Sequence, residues 1–297
     1  MKDNFKSGII SVVGRPNVGK STLINSLTGQ DWMATSSHPH TTRRQIRSIE
    51  TTPDHQIVYV DTPGIHKPKG KLSEQMNDYA YDSLDEVEAI VCVFDGSKQI
   101  GKGDSYIASI LENKKNVIAV LNKCDAEKNI ENIASRAQQV AEQLPNVSDI
   151  FMISAFTGKN VKILKKRLYE FLIESPPIFE IDQNHDLSDE QLVSEFYREA
   201  LIRILEQELP QSVAVVVSED TENQSKNTRY FNIKILVSKK SHKPMIIGKS
   251  GNNLQNVGTR VRKRLEAIMG CLIYLDVKVE VDENWQANRD HLDSYIF

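Results

Sequence analysis

The segment GRPNVGKS, Gly14 to Ser21, limits what this chain can fold into more than any other stretch. It follows a strand-like run, Gly8-Ile-Ile-Ser-Val-Val13, and precedes a helix-like one, Thr22-Leu-Ile-Asn-Ser-Leu27. The pattern is G-x-x-x-x-G-K-[ST]. Its glycines allow a tight turn that presents successive backbone N–H groups to a phosphate. The helix N-terminus behind it adds partial positive charge and unsatisfied donors. Lys20 is placed to reach the β- and γ-phosphates and Ser21 to ligate Mg²⁺. Arg15, Pro16, Asn17, Val18, Gly19 and Thr22 complete the candidate lining. A phosphate cradle alone does not choose a nucleotide.

The polar stretch Gln30 to Gln45 has no apolar period and carries a proline, so it reads as a long loop. In a nucleotide switch, a threonine in such a loop ligates Mg²⁺ only while a γ-phosphate is present. Thr42 is the candidate, with Thr41 as the alternative. Next, the strand Gln56-Ile-Val-Tyr-Val60 runs into Asp61-Thr62-Pro63-Gly64. A carboxylate at that strand end holds Mg²⁺ through water. Gly64 lets its N–H approach a γ-phosphate unobstructed. Many GTPases carry a glutamine at the following position to orient the attacking water. Here Ile65 stands there, and it can neither donate nor accept through its side chain.

The base is chosen further on. Strand Val117-Ile-Ala-Val-Leu121 ends in Asn122-Lys123-Cys124-Asp125, an N-K-x-D motif. One carboxylate accepts from both the ring N1–H and the exocyclic amine of guanine, and adenine offers no such donor pair. An unpaired polar group in a buried pocket is expensive, so the arrangement discriminates. Asn122 and Lys123 are expected to brace the phosphate loop and cover the base. After strand Ile150-Phe-Met-Ile153, a backbone N–H of Ser154 or Ala155 is expected at the guanine oxygen. The strand Ala89-Ile-Val-Cys-Val-Phe94 ends in Asp95-Gly96, which reads as a simple turn.

Strands alternating with helical runs (Leu72–Leu84, Tyr106–Leu111, Glu131–Leu144, Leu164–Leu172) imply an α/β fold with a doubly wound, mostly parallel sheet. In such sheets ligands bind at the C-terminal ends of the strands, where Gly14, Asp61, Asn122 and Ser154 all fall. This first domain is read as 1–174. Residues 175–186, proline-bearing and without period, are read as a linker, and 187–297 as a second domain.

With 26% charged residues and a formal net charge of −3, the whole chain is not a basic nucleic-acid binder, so any such site must be a local patch. Lys239 to Arg264 is that patch: it holds several basic residues and no acidic one. Inside it, Ile247-Gly248-Lys249-Ser250-Gly251 forms a G-x-x-G turn before a helix bearing Arg260, Arg262, Lys263 and Arg264. G-x-x-G between two helices clamps a single-stranded nucleic-acid backbone in KH domains. The order α-β-β-α-α-β over this half is the type II KH arrangement, a small α+β fold. Cys92, Cys124 and Cys271 lie far apart and form no metal-binding spacing, and they fit a reducing compartment. The N-terminus lacks the apolar core of a signal peptide, and no apolar run approaches the roughly 20 residues of a membrane span.

These residues resemble the bacterial Era GTPases. The resemblance rests on GRPNVGKS, Pro39-His-Thr-Thr-Arg43, Asp61-Thr-Pro-Gly-Ile-His66, Asn122-Lys-Cys-Asp125, Ser154-Ala-Phe-Thr-Gly158, Ile246-Ile-Gly-Lys-Ser-Gly251 and Val257-Gly-Thr-Arg260. It runs nearly the whole length. The first loop departs from the pattern, with His38-Pro-His40 where a glutamine is expected before the two threonines. The resemblance implies GTP hydrolysis to GDP and binding near the 3′ end of 16S ribosomal RNA. It also implies a role in maturation of the 30S subunit, a monomeric cytoplasmic protein and, in some members, peripheral contact with the inner membrane. Ile65 fits GTPases with a hydrophobic residue in place of the catalytic glutamine. Relatives of that kind ligate K⁺ with a P-loop asparagine, and Asn17 occupies that position. Other readings of the residues are an ATP-dependent P-loop kinase, a binding module without turnover, and a tRNA-modification-type or other P-loop NTPase. In the last, the C-terminal domain would serve protein or membrane contacts.

Overall fold

The protein is described here by a computed structural model covering residues 4–31, 33–35, 42–68, 70–205, 212–219 and 227–285. Thr41 and the His38-Pro-His40 departure lie outside the described residues. The chain divides into two compact units, with the boundary between Asp186 and Leu187.

The first unit runs β1 (Lys6–Gly14), α1 (Lys20–Thr28), β2 (Ile46–Thr51), β3 (His55–Asp61), α2 (Lys71–Asp82), β4 (Ala89–Asp95) and α3 (Lys102–Leu111). It continues with β5 (Val117–Asn122), α4 (Ile130–Gln143), β6 (Val147–Met152), α5 (Val161–Tyr169) and the two-residue β7 (Ile173–Glu174). The strand order is β2-β3-β1-β4-β5-β6, with β7 paired to the start of β1. The pairs β3-β1, β1-β4, β4-β5 and β5-β6 are parallel, while β2 and β7 pair antiparallel. Strands β4 and β5 are near-continuous apolar runs because helices cover both faces of the sheet. In register, Val12 faces Asp61 and Asp95 faces Asn122, which sets the motif residues along one edge of the sheet.

Strand β2 was not expected from the sequence. Its burial does not alternate: Ile46, Ser48 and Ile49 are all buried, so the period-two signal is broken. The segment becomes a strand because β3 offers it an open edge.

Residues 175–186 are not a free tether. The Gln56 side chain donates to Phe179 O at 3.0 Å and accepts from the Ile178 and Phe179 N–H groups at 2.7 and 2.8 Å. The Ser7 hydroxyl donates to Pro176 O, and Asp186 pairs with Arg47. The segment lacks a helical or strand period because its backbone is satisfied by partners elsewhere in the unit, among them the Gln56 and Ser7 side chains and the backbone of β2.

The second unit runs α6 (Asp189–Ile204), β8 (Val213–Glu219), β9 (Thr228–Val237), α7 (His242–Ile247), α8 (Asn252–Met269) and β10 (Leu272–Val281). Its sheet order is β10-β9-β8, with β9-β8 antiparallel and β9-β10 parallel. Helix α6 starts at a capping box, in which the Ser188 hydroxyl accepts from Gln191 N–H and the Gln191 side chain accepts from Ser188 N–H. Phe196, Leu201, Phe231, Ile233, Ile235, Val261 and Leu265 are among its buried core residues. Among the described residues, no helix is long and apolar enough to cross a membrane.

Candidate nucleotide site and nucleic-acid loop

Two glycines make the phosphate loop possible. Gly14 ends β1 at φ +152, where a Cβ would sit 2.4 Å from Val93 O. Gly19 precedes α1 at φ +97, and a Cβ there would fall 2.3 Å from Asn122 Nδ2. Lys20 Nζ donates to Gly14 O at 3.3 Å and Arg15 O at 3.2 Å. Its ammonium is buried, which lowers its pKa to about 8, with Asp61 opposing the shift. A buried cation held only by carbonyls gains most when an anion arrives. A proton linkage follows. Phosphate stabilises the charged lysine, so GDP affinity should weaken by up to ~10-fold per pH unit as pH rises above about 8. Calorimetry at pH 8 in buffers of different ionisation enthalpy should show net proton uptake of ~0.5 per GDP bound. No uptake would contradict this assignment. The sign is opposite for the stability of the free protein: with the folded pKa depressed from 10.5 to about 8, the unfolded chain binds more protons in that window and stability rises with pH through it.

Three candidate metal ligands meet. Ser21 Oγ donates to Asp61 Oδ2 at 2.6 Å, and Thr42 Oγ1 lies 3.1 Å from both Ser21 Oγ and Asp61 Oδ2. Two hydroxyls and a carboxylate are hard oxygen donors. They fit Mg²⁺, which takes few protein ligands and completes its shell with phosphate and water. Among the described residues there is no cluster of His, Cys, Asp and Glu suited to a softer metal. Thr62 is structural: its buried hydroxyl donates to Val12 O at 2.9 Å.

Three expected contacts are corrected here. The Ile65 side chain is fully buried in the core with Val13, Leu84, Ile90 and Phe94, so it does not line the phosphates. Only its N–H reaches the loop, donating to Gly14 O at 3.1 Å. The Arg15 guanidinium pairs with Asp104 at 3.0 Å, tying the loop to α3 rather than facing a phosphate. The Ser154 and Ala155 N–H groups are both engaged within the protein, to Lys159 O at 3.1 Å and Asn122 Oδ1 at 2.9 Å. Neither is a spare donor for a guanine oxygen.

At the base end, Asn122 is a buried brace. Its Nδ2 donates to Val18 O at 2.9 Å while its Oδ1 accepts from Ala155. Lys123, at φ +62, donates to Asn17 O and to Asp95 Oδ2, the latter at 2.9 Å. Asp95 is therefore more than a turn residue. Burial works to raise its pKa, but Ser97 and the Lys123 ammonium together hold it below the usual carboxylate value. The signal for it was present in the sequence, as a carboxylate at a parallel strand's C-terminal end like Asp61. Cys124 is half-buried, its thiol donating to Leu121 O at 3.2 Å. Asp125 is exposed.

In the second unit, α7 and α8 are joined by Gly248 to Gly251. Gly248 has φ +76, and a Cβ would sit 2.6 Å from Asn253 Cγ. Gly251, at φ +80, has nothing within 4 Å of its Cβ position, so the turn is open to approach. Lys249, Ser250, Arg260, Arg262 and Lys263 are exposed, while Ile247 is half-buried beside the fully buried Ile246. Arg264 is a correction. Its guanidinium pairs with Glu199 at 2.6 Å and stacks 3.6 Å from the Phe196 ring centroid, which makes it a strut between α8 and α6.

A guanine-type P-loop domain followed by a KH unit defines a GTPase with a nucleic-acid-binding module. Comparisons agree. Residues 9–123 match the model of the 50S ribosome-binding GTPase family, and residues 208–286 match the KH domain family. The chain is 40% identical to GTPase Era of Carboxydothermus hydrogenoformans over 97% of its own length and 96% of that protein. It is 38% identical to GTPase Era of Halothermothrix orenii, covering 95% of each. Two solved structures superpose with TM-scores of 0.93 at 32% identity, covering 98% of this chain. One is Era with MgGDPNP and nucleotides 1506–1542 of 16S ribosomal RNA, matched over 98% of that chain. The other is an Aquifex aeolicus Era variant bound to GDP and AlF4−, matched over 99% of that chain. The chain belongs to the Era family of GTPases.

Proposed function

We propose that this GTPase is a nucleotide-controlled RNA-binding factor that engages the 3′ region of 16S ribosomal RNA in the cytoplasm and serves maturation of the 30S subunit. The observation that carries the reading is the pairing, in one chain, of a pre-assembled Ser21–Thr42–Asp61 cluster with an open glycine turn, Gly248 to Gly251, flanked by exposed cations. The Era relative crystallised with MgGDPNP and 16S nucleotides supports the choice of ligands.

In this reading Lys20 and the α1 N-terminus hold the β- and γ-phosphates. Ser21 and Thr42 ligate Mg²⁺ directly and Asp61 does so through water. Bound there, the ion neutralises charge building on the phosphates. Gly64 brings its N–H toward the γ-phosphate, while Asp125 reads the base. Ile65, being part of the core, offers the attacking water no side-chain partner. Asn17 would hold K⁺ at the phosphate loop, where the ion would add positive charge against the phosphates. GTP hydrolysis should then run at least ~10-fold faster in K⁺ than in Na⁺, with Asn17→Ala erasing the difference. Equal rates in the two salts would remove K⁺ from the scheme.

The RNA half is tested by fluorescence anisotropy with a 16S 3′-terminal oligonucleotide at several salt concentrations. Replacing Lys249 and Lys263 with alanine should weaken binding and lower the salt slope by ~1.4, at ~0.7 per lost phosphate contact. Arg264→Ala should instead lower thermal stability, because it leaves the buried Glu199 carboxylate short of a partner. An unchanged slope in the lysine variant, or equal affinity for transfer RNA, would reject the reading.

A further inference from the structure

We propose that Arg47 and Asp186 are a positioning pair for the nucleotide reaction, locking the segment that leads into the second unit onto the strand that follows Thr42. The proposal rests on the nucleotide-site reading above.

Strand β2 is the sheet's edge, and an edge strand presents a row of unpaired N–H and C=O groups. Here that row is covered by Asn184, His185 and Asp186. The Ile49 N–H donates to Asn184 O at 2.9 Å, and the Asp186 N–H donates to Arg47 O at 3.2 Å. Ser48 and His185 form an antiparallel bridge between these bonds. The Asp186 carboxylate then closes the lock, accepting from the Arg47 N–H at 2.8 Å and from its guanidinium at 3.0 Å. From the other flank of the Thr42 loop, Gln30 Nε2 donates to Asn184 Oδ1 at 3.1 Å. Asn184 thus touches the chain on both sides of the loop that carries Thr42, while His185 and Asp186 hold the β2 side.

The physical consequence is a shared register. Backbone pairing along an edge is satisfied in one register only, because a one-residue slip turns every side chain to the other face. Thr42 is docked on Ser21 and Asp61 while β2 is zipped to Asn184–Asp186. Release of Thr42 frees the start of β2 to fray, and fraying begins at the Arg47–Asp186 end of the zipper. Linkage makes the coupling reciprocal: whatever holds Asp186 in place favours docked Thr42, and therefore GTP over GDP. Asp186 is the last residue before the second unit, so the pair lies where nucleotide state and the KH unit's tether meet.

The experiment uses the full chain with GDP and a non-hydrolysable GTP analogue. In the wild type, hydrogen exchange should show the Ile49 and Asp186 amides better protected with the GTP analogue than with GDP. In Asp186→Ala and Arg47→Ala that difference should disappear. The analogue-to-GDP affinity ratio should fall by at least ~5-fold, with GDP affinity itself kept within ~2-fold. The charge exchange, Arg47→Asp with Asp186→Arg, should restore the ratio only in part, through the guanidinium–carboxylate pair, because an arginine side chain at 186 cannot accept from the residue 47 N–H. Equal protection of the two amides in both nucleotide states of the wild type overturns the proposal without any variant. So does an unchanged affinity ratio in both single variants. Failure of the wild type to bind either nucleotide would strike the site reading instead.

Discussion

Asp125→Ala is expected to lower GDP affinity by ~10²–10⁴-fold and to erase the preference for guanine over adenine nucleotides. Two hydrogen bonds to an ionised acceptor are lost, each contributing ~1.5–3 kcal/mol. At 1.4 kcal/mol per decade these give the stated range. The fold should be indifferent. The Asp125 side chain is exposed and makes no hydrogen bond or ion pair among the described residues, so stability should stay within ~0.5 kcal/mol of wild type. Asn122 differs: its side chain bridges Val18 O and Ala155 N–H, so its removal would disturb the loop and binding together. Inosine diphosphate, which lacks the exocyclic amine, gives an internal control. The wild type should bind it ~10-fold or more weaker than GDP, and the variant should bind both alike. Competition calorimetry with GDP, IDP and ADP reads all three ratios. A guanine preference that survives the substitution would remove Asp125 from the base site.

Some of this molecule was readable before any coordinates, and some was not. The phosphate loop was readable because glycine spacing and the strand-to-helix order are local properties, and the structure supplies the steric reason at Gly14 and Gly19. The α-β-β-α-α-β order of the second unit was readable because each element carries its own period and caps, Ser188 among them. What sequence could not convey was where a side chain goes once its backbone is placed. Arg15 and Arg264 look like free cations in a string of letters, yet each is committed to a carboxylate distant in sequence, Asp104 and Glu199. Ile65 sits inside a nucleotide motif but serves the core. Edge strand β2 and the pinned segment 175–186 depend on partners elsewhere in the chain, which no local pattern encodes.

Gly64→Ala is expected to reduce GTP hydrolysis by at least ~10²-fold while leaving GDP affinity within ~3-fold. Losing one preorganised donor aimed at developing charge costs about this much. The cause is space rather than backbone dihedral. A Cβ at Gly64 would stand 2.5 Å from Pro16 N and 2.6 Å from Pro16 Cα. Both are backbone atoms of the phosphate loop, which the Gly14–Lys20 bond and the Asn122 brace hold in place. The loop cannot give way, so residue 64 must retreat, and the adjoining bond from Ile65 N–H to Gly14 O lengthens with it. Ile65 resists that retreat because its side chain is locked in the core, so the variant should also lose ~1–3 kcal/mol of stability from overpacking. GDP has no γ-phosphate and makes no use of the Gly64 N–H, so its affinity is spared. Single-turnover hydrolysis, with calorimetric titrations of GDP and a GTP analogue, separates the two effects. Wild-type hydrolysis in this variant would mean that the γ-phosphate is met by some other donor than the residue packed against Pro16.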